Sequence, residues 1–203
     1  MIDKIVLASS NKGKILEFSE IFRPLNIQLI SQQTLQVSDA DETGLTFVEN
    51  AILKARHACE ATGLPALADD SGLEVDALLG APGIYSSRYS GAGDAANNIK
   101  LIQALADVET AQRSARFRCA LVFMRHAKDP TPLICQGALE GSILTAPRGE
   151  SGFGYDPLFL IDPNLIDGQQ LAAAQLTPAQ KHKISHRGKA VAQFVTQIQD
   201  YLK

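Results

Sequence analysis

The chain has 203 residues, 45% of them hydrophobic, and this is enough material for one α/β domain spanning 1–203 with a sizeable core. A formal net charge of −3 argues against broad electrostatic binding to nucleic acid or to an anionic membrane. The opening residues Met1 to Leu7 lack a signal-peptide layout, and no apolar run approaches the ~18 residues of a membrane span, so the expectation is a cytoplasmic protein. Cys59, Cys119 and Cys135 have no C-x-x-C spacing and read as thiols in a reducing compartment, with no zinc site.

In chain order, Ile5 to Ala8 is a strand-type apolar run. Ser9-Ser10-Asn11-Lys12-Gly13-Lys14 follows, and then Ile15, Leu16, Phe18, Ile21 and Phe22 at helical spacing. A strand, a polar loop and a helix place backbone N–H groups, hydroxyls and two ammonium groups near a helix N-terminus, which suits phosphate; an ordinary strand-to-helix connection is the alternative. The Walker order G-x-x-x-x-G-K-[ST] is absent, which disfavours a P-loop enzyme.

Ser38 to Gly44 is an acidic loop containing Asp41 and Glu42, and Thr46-Phe47-Val48-Glu49 is a capping box that opens a helix running to Gly63. Phe47, Val48, Ala51, Ile52, Ala55, Ala58 and Cys59 form its buried stripe. Lys54 lies off that stripe, where a surface lysine is the plain reading.

The apolar run Pro65 to Ala68 leads into Asp69-Asp70-Ser71-Gly72, which predicts a strand giving way to a loop at the paired aspartates. Two readings fit: a hard-cation site at the carboxyl end of a strand, or a solvated turn. A second acidic loop in the same chain strengthens the first.

Gly80 to Gly91, rich in Gly, Pro and Ser with interleaved tyrosines, predicts a structured loop. A helix over about Asp94 to Ala106 is expected to carry Ile99, Ile102 and Leu105 on its apolar side, with Leu101 beside them. Strands are expected over Ala115 to Met124 and Leu133 to Leu144, antiparallel to each other because their connection is short, so the sheet should be mixed. In Glu150 to Pro157, glycines flank Phe153, whose ring and that of Tyr155 offer stacking faces; a glycine-rich turn with core aromatics is the alternative. Leu158 to Ile161 is another strand. Thr177-Pro178 starts a helix, and Lys181, Lys183, His186, Arg187 and Lys189 form a basic cluster, either a solvated face or an anion and base-edge reader, before an apolar terminal helix.

These stretches occur together in one order: Ser9 to Lys14, Thr46 to Ala51 with Lys54-Ala55, Asp69 to Leu73, Gly80 to Gly83 with Ser87 to Tyr89, Gly152 to Pro157, and Ser185 to Gly188. Taken together, and over nearly the whole chain, they resemble the inosine triphosphate pyrophosphatase family. The resemblance implies a homodimeric, magnesium-dependent enzyme that hydrolyses deaminated purine nucleoside triphosphates to the monophosphate and pyrophosphate. It also implies an elongated α/β fold with a mixed sheet, helices on both sides and a central cleft between two lobes.

Carried over by position, Ser9, Ser10, Asn11, Lys12, Gly13 and Lys14 would hold triphosphate, while Glu42 and Asp70 would bind magnesium, with Asp70 also activating water. Lys54 and Ser71 would contact the phosphate or sugar side. Phe153, Gly154, Tyr155, Asp156, Lys181, His186 and Arg187 would surround the base. Gln175 departs from the glutamate common in relatives.

The chemistry is consistent with the residues. Polyphosphate hydrolysis needs cations to neutralise charge and a base for water, and both are present. A modified-pyrimidine pyrophosphatase would share an early Ser-x-Asn-x-x-Lys-like loop, but the Ser185-His186-Arg187 and Gly152-Phe153-Gly154-Tyr155-Asp156 stretches argue for purines. A haloacid-dehalogenase-type phosphatase would need a D-x-D after its first strand. A non-catalytic nucleotide sensor is the rival from another class, separated by an assay of pyrophosphate release.

Overall fold

The computed structural model describes residues 2–10, 14, 15, 18, 19, 22 and 27–201. Apolar runs become six strands: β1 (Lys4–Leu7), β2 (Gln28–Ser31), β3 (Ala66–Val75), β4 (Ser114–Met124), β5 (Leu133–Ile143) and β6 (Phe159–Ile161). They form one sheet in the order β2-β1-β3-β4-β5-β6. β1 is parallel to β2, with Val6 opposite Ile30, and parallel to β3, with Val6 opposite Ala66. β5 is antiparallel to β6, with Ser142 opposite Leu160, so the expected mixed sheet is present. Ile5, Val6, Leu7, Ala66, Leu67 and Ala68 are all fully buried, as parallel strands covered on both faces require.

Thr46 caps helix α1 (Phe47–Thr62) as expected, with Glu49 reaching back one residue beyond the cap. Thr46 Oγ1 accepts the Glu49 N–H at 3.2 Å, Glu49 Oε2 accepts the Leu45 N–H at 2.8 Å, and Gly63 closes the helix in the left-handed conformation. Ala51, Ala55, Ala58 and Cys59 are buried, and Phe47, Val48 and Ile52 pack against the same core.

Helix α2 (Asp94–Ala104) corrects an expectation. Leu101 and Leu105 are fully buried and Ile102 packs against the same core, as expected, but Ile99 is 58% exposed and the helix buries a polar residue, Asn97, in its place. Asn97 can be buried because its amide is fully used. Oδ1 accepts the N–H and the hydroxyl of Ser90, each at 2.7 Å, and Nδ2 donates to the carbonyls of Ser86 and Ser87. Helix α3 (Pro178–Ile184) begins with a reciprocal capping box, Thr177 with Gln180, and ends at Ser185, after which α4 (His186–Gln197) begins.

The chain divides into two compact units, one of Met1–Asp70, Ala120–Cys135 and Ala190–Lys203, the other of Ser71–Cys119 and Gln136–Lys189. In the first, Val6, Ala8, Ala66, Ala68, Ala120 and Val122 form a core with the buried face of α1. In the second, Leu73, Leu101, Phe117, Leu139, Leu158 and Phe159 form another. Cys59, Cys119 and Cys135 are buried thiols, and burial pushes the pKa of Cys59 and of Cys135 up to about 11, which leaves these two unreactive. Among the described residues no helix is long and apolar enough to cross a membrane.

Candidate active site

Strand β3 does not end at the paired aspartates. It runs through them to Val75, so Asp69 and Asp70 are mid-strand residues and not the last residues before a loop. Successive side chains on a strand point to opposite faces, and each carboxylate meets a lysine from a different helical segment. Asp69, with only 1% of its side chain exposed, pairs with Lys14 at 2.8 Å. Asp70 Oδ1 accepts from Lys54 of α1 at 2.7 Å. These two ammonium groups let the strand continue where two unpaired carboxylates would have ended it.

Lys54 also donates to Glu42 Oε1 at 3.0 Å, so one ammonium joins the acidic loop to β3. That loop is anchored on the first turn of α1, where Asn50 Oδ1 accepts the Gly44 N–H at 2.9 Å. The approach is close: a Cβ on Gly44 would lie 2.6 Å from that of Glu49. Asp39, earlier in the loop, accepts from Ser10 at 3.5 Å. Burial raises the pKa of Asp70, against the pull of Lys54; burial also works against the Lys54 ammonium, but Asp70, Asp69 and Glu42 outweigh it and raise its pKa.

These residues suit a divalent cation. Asp70 Oδ2 is buried with no hydrogen-bond partner, and Asp70 and Glu42 already converge on a single positive charge. Among the described residues no group of three or more His, Cys, Asp and Glu is gathered as a complete cage. Two carboxylates are nevertheless what magnesium takes when substrate phosphates supply further oxygens. Of the predicted triphosphate loop, Ser9 is half-buried and Ser10 exposed, while Asn11, Lys12 and Gly13 lie outside the described residues. Ser71 follows Asp70 in β3, half-buried.

The second unit holds the predicted base-binding residues. Gly152 to Asp156 form a turn built on Asp156, whose Oδ2 accepts the Phe153 N–H at 2.9 Å and also binds the Lys181 ammonium. Gly152 has φ +85°, and a Cβ there would lie 2.1 Å from the same Oδ2, so only glycine fits. Phe153 is 60% exposed, with Lys181 Nζ 4.9 Å from its ring centroid. Tyr155, by contrast, is a core residue: its hydroxyl donates to the Ser86 carbonyl at 2.8 Å, and burial raises its pKa well above the usual tyrosine value. Its ring belongs to the hydrophobic core, whereas that of Phe153 is presented to solvent.

The basic cluster separates by role. Lys183 and His182 are exposed, Lys189 donates to the Ala138 carbonyl at 2.8 Å, Arg187 is buried, and His186 stacks on Phe117 at 5.1 Å. Gln175 Oε1 accepts the Ala172 N–H at 2.9 Å. The sequence reading missed Asp69 as the partner of Lys14. It also missed Asp94 and Asn98 of α2, which bond to Gly154. The signal for the second pair was the i, i+3, i+4 spacing of Asp94, Asn97 and Asn98 along one helix face.

Comparison with known proteins gives a consistent result. The model of the Ham1 family matches residues 5–197. The dITP/XTP pyrophosphatase of Vibrio cholerae serotype O1 is 52% identical over 199 residues, covering 97% of each chain. The protein of the same name from Thioalkalivibrio sulfidiphilus is 54% identical over 198 residues, covering 97% of this chain and 98% of its own. Among solved structures, a HAM1 protein from Coxiella burnetii superposes with a TM-score of 0.91 at 49% identity, over 98% of this chain and 100% of that one. A nucleoside-triphosphatase / dITP/XTP pyrophosphatase from Mycobacterium abscessus gives a TM-score of 0.78 at 38% identity, over 95% of this chain and 98% of that one. In sequence and in fold alike, the chain belongs to the Ham1 family.

Proposed function

We propose that this chain is a magnesium-dependent nucleoside triphosphate pyrophosphatase, acting as a homodimer, that converts ITP, dITP and XTP to the monophosphate and pyrophosphate and so clears deaminated purines from the nucleotide pool. The observation that carries the reading is the buried Asp70, with one oxygen on Lys54 and the other without a partner, beside Glu42 on the same ammonium. A magnesium ion held by Asp70 and Glu42 would supply charge neutralisation for the phosphates. Asp70, its basicity raised by burial, takes the proton of the attacking water. Lys54 and Lys14 balance the charge of the polyphosphate. The relatives' names support the substrate class.

Pyrophosphate release from ITP, measured with and without magnesium, tests the activity. Asp70→Asn should lower kcat/KM by about a hundredfold or more with the melting temperature retained. A folded Asp70→Asn enzyme retaining more than about a tenth of the wild-type rate would remove Asp70 from the chemistry. Glu42→Gln should shift the magnesium titration to higher concentration. ITP and XTP should be turned over far faster than ATP, because adenine reverses the donor and acceptor at positions 6 and 1 and leaves buried polar groups unpaired, a loss worth roughly 10⁴-fold in a matched site.

A further inference from the structure

Helix α2 grips the loop that carries Phe153 by both polar groups of one residue. Asp94 Oδ2 accepts the Gly154 N–H at 2.8 Å, and Asn98 Nδ2 donates to the Gly154 carbonyl at 2.8 Å. Asp94 and Asn98 are four residues apart, one above the other on a single helix face, so a rigid turn of helix holds the peptide groups on either side of Gly154. From the other side, Asp156 fixes the Phe153 N–H and the Lys181 ammonium near the ring. Phe153 thus has its backbone held before and after it, while its ring is 60% exposed. A large apolar ring kept in solvent on a loop pinned at consecutive peptides is organised for stacking and not for folding.

We propose that Asp94 and Asn98 are positioning residues for base recognition: they touch no substrate but fix the Gly154 backbone and with it the direction of the Phe153 ring. Unpinned, the loop would have to be ordered by the ligand, and that entropic cost falls on binding of the base. Phosphate binding and the hydrolytic step draw on other residues and carry no such cost. The two effects separate in kinetics, since loss of binding shared by ground and transition states raises KM and leaves kcat unchanged. The inference rests on the reading of Phe153 as the base-stacking residue.

The test compares ITP with inorganic tripolyphosphate, which has the same charge-bearing chain and no base. Asp94→Ala and Asn98→Ala should each raise KM for ITP by about five- to tenfold, with kcat and the inhibition constant of tripolyphosphate within about twofold of wild type. Asp94→Asn, which keeps an acceptor oxygen, should restore KM. Asp94 is exposed, so its variants carry the test even if Asn98→Ala melts early. An unchanged KM in a folded Asp94→Ala enzyme, or tripolyphosphate inhibition weakened in step with KM, would overturn the proposal. Phe153→Ala, run in parallel, distinguishes the two levels. If Phe153→Ala raises KM and Asp94→Ala does not, the positioning role fails alone. If neither moves KM, the reading of Phe153 fails with it.

Discussion

Asp69 and Asp70 are adjacent in sequence and separate in task. Asp70 shares its lysine with Glu42 of the acidic loop, whereas Asp69 is wholly inside and pairs with Lys14. Removing one member of a largely buried ion pair is costly, so Asp69→Ala and Lys14→Met should each destabilise the fold by about 3 kcal/mol. The double variant should cost little more than either alone, because the pair acts as one unit. Thermal melts of the four proteins measure this, and additive losses would mean that the pair is not coupled. Asp129 is a second case at the same scale. It is buried and accepts from Arg125 N, Nε and Nη2 and from Thr131 N, closing the turn before β5. The hydrogen bonds to Arg125 hold its carboxyl far below the usual aspartate range, and Asp129→Ala should lower stability by about 2 kcal/mol or more by chemical denaturation.

Among the elements, α1 was the most legible from sequence and β3 the least. Thr46, Glu49 and Gly63 are local signals, readable without knowing what packs against the helix, and the apolar stripe from Ala51 to Cys59 repeats at the helical period. Nothing local says that Asp69-Asp70 can continue a strand. That depends on Lys14 and Lys54, which the fold brings from residues far away in sequence. Lys54 was readable only through the family resemblance, since its spacing marks an ordinary surface lysine. Helix α2 was misread for a related reason: hydropathy pointed Ile99 inwards, but Asn97, with all its hydrogen bonds met by residues 86–90, takes the buried position. Removing the cap of α1 tests how far that helix positions the acidic loop. Thr46→Ala should cost about 1 kcal/mol. It should also shift the magnesium titration to higher concentration in parallel with Glu42→Gln, because the cap and the Gly44 anchor lie on the same first turn.

For the molecule as a whole, charge sets the acid limit of stability. Arg116 on β4 donates to both oxygens of Asp76, at 2.7 and 2.8 Å, and Ser114 adds a third bond at 2.6 Å. These bonds hold the Asp76 carboxyl at a pKa of about 2. The unfolded value is about 3.9, so the stabilisation is complete above about pH 4 and is lost as pH falls towards 2. The difference in melting temperature between wild type and Asp76→Asn should therefore be constant from neutral pH down to about pH 5 and shrink below about pH 4. A difference that persists at pH 2 would remove the carboxylate as its source. The proposed dimer is tested by light scattering at micromolar concentration. Leu79, 99% exposed, and Tyr85, 54% exposed, lie on the loop following β3, and charge introduced at both positions should shift the mass towards that of one chain.

Because β3 continues through Asp70, the proposed general base is carried by an inner strand of the sheet, flanked by β1 and β4, and not by a loop. Its backbone amide should exchange with deuterium only when the sheet itself opens, on the slow timescale of core strands, whereas amides of the acidic loop around Glu42 should exchange orders of magnitude sooner. Of the two carboxylates assigned to the cation, one would then be fixed on the timescale of turnover and the other free to adjust. Adding magnesium or nucleotide should slow exchange in residues 39–44 and leave residues 66–70 unchanged.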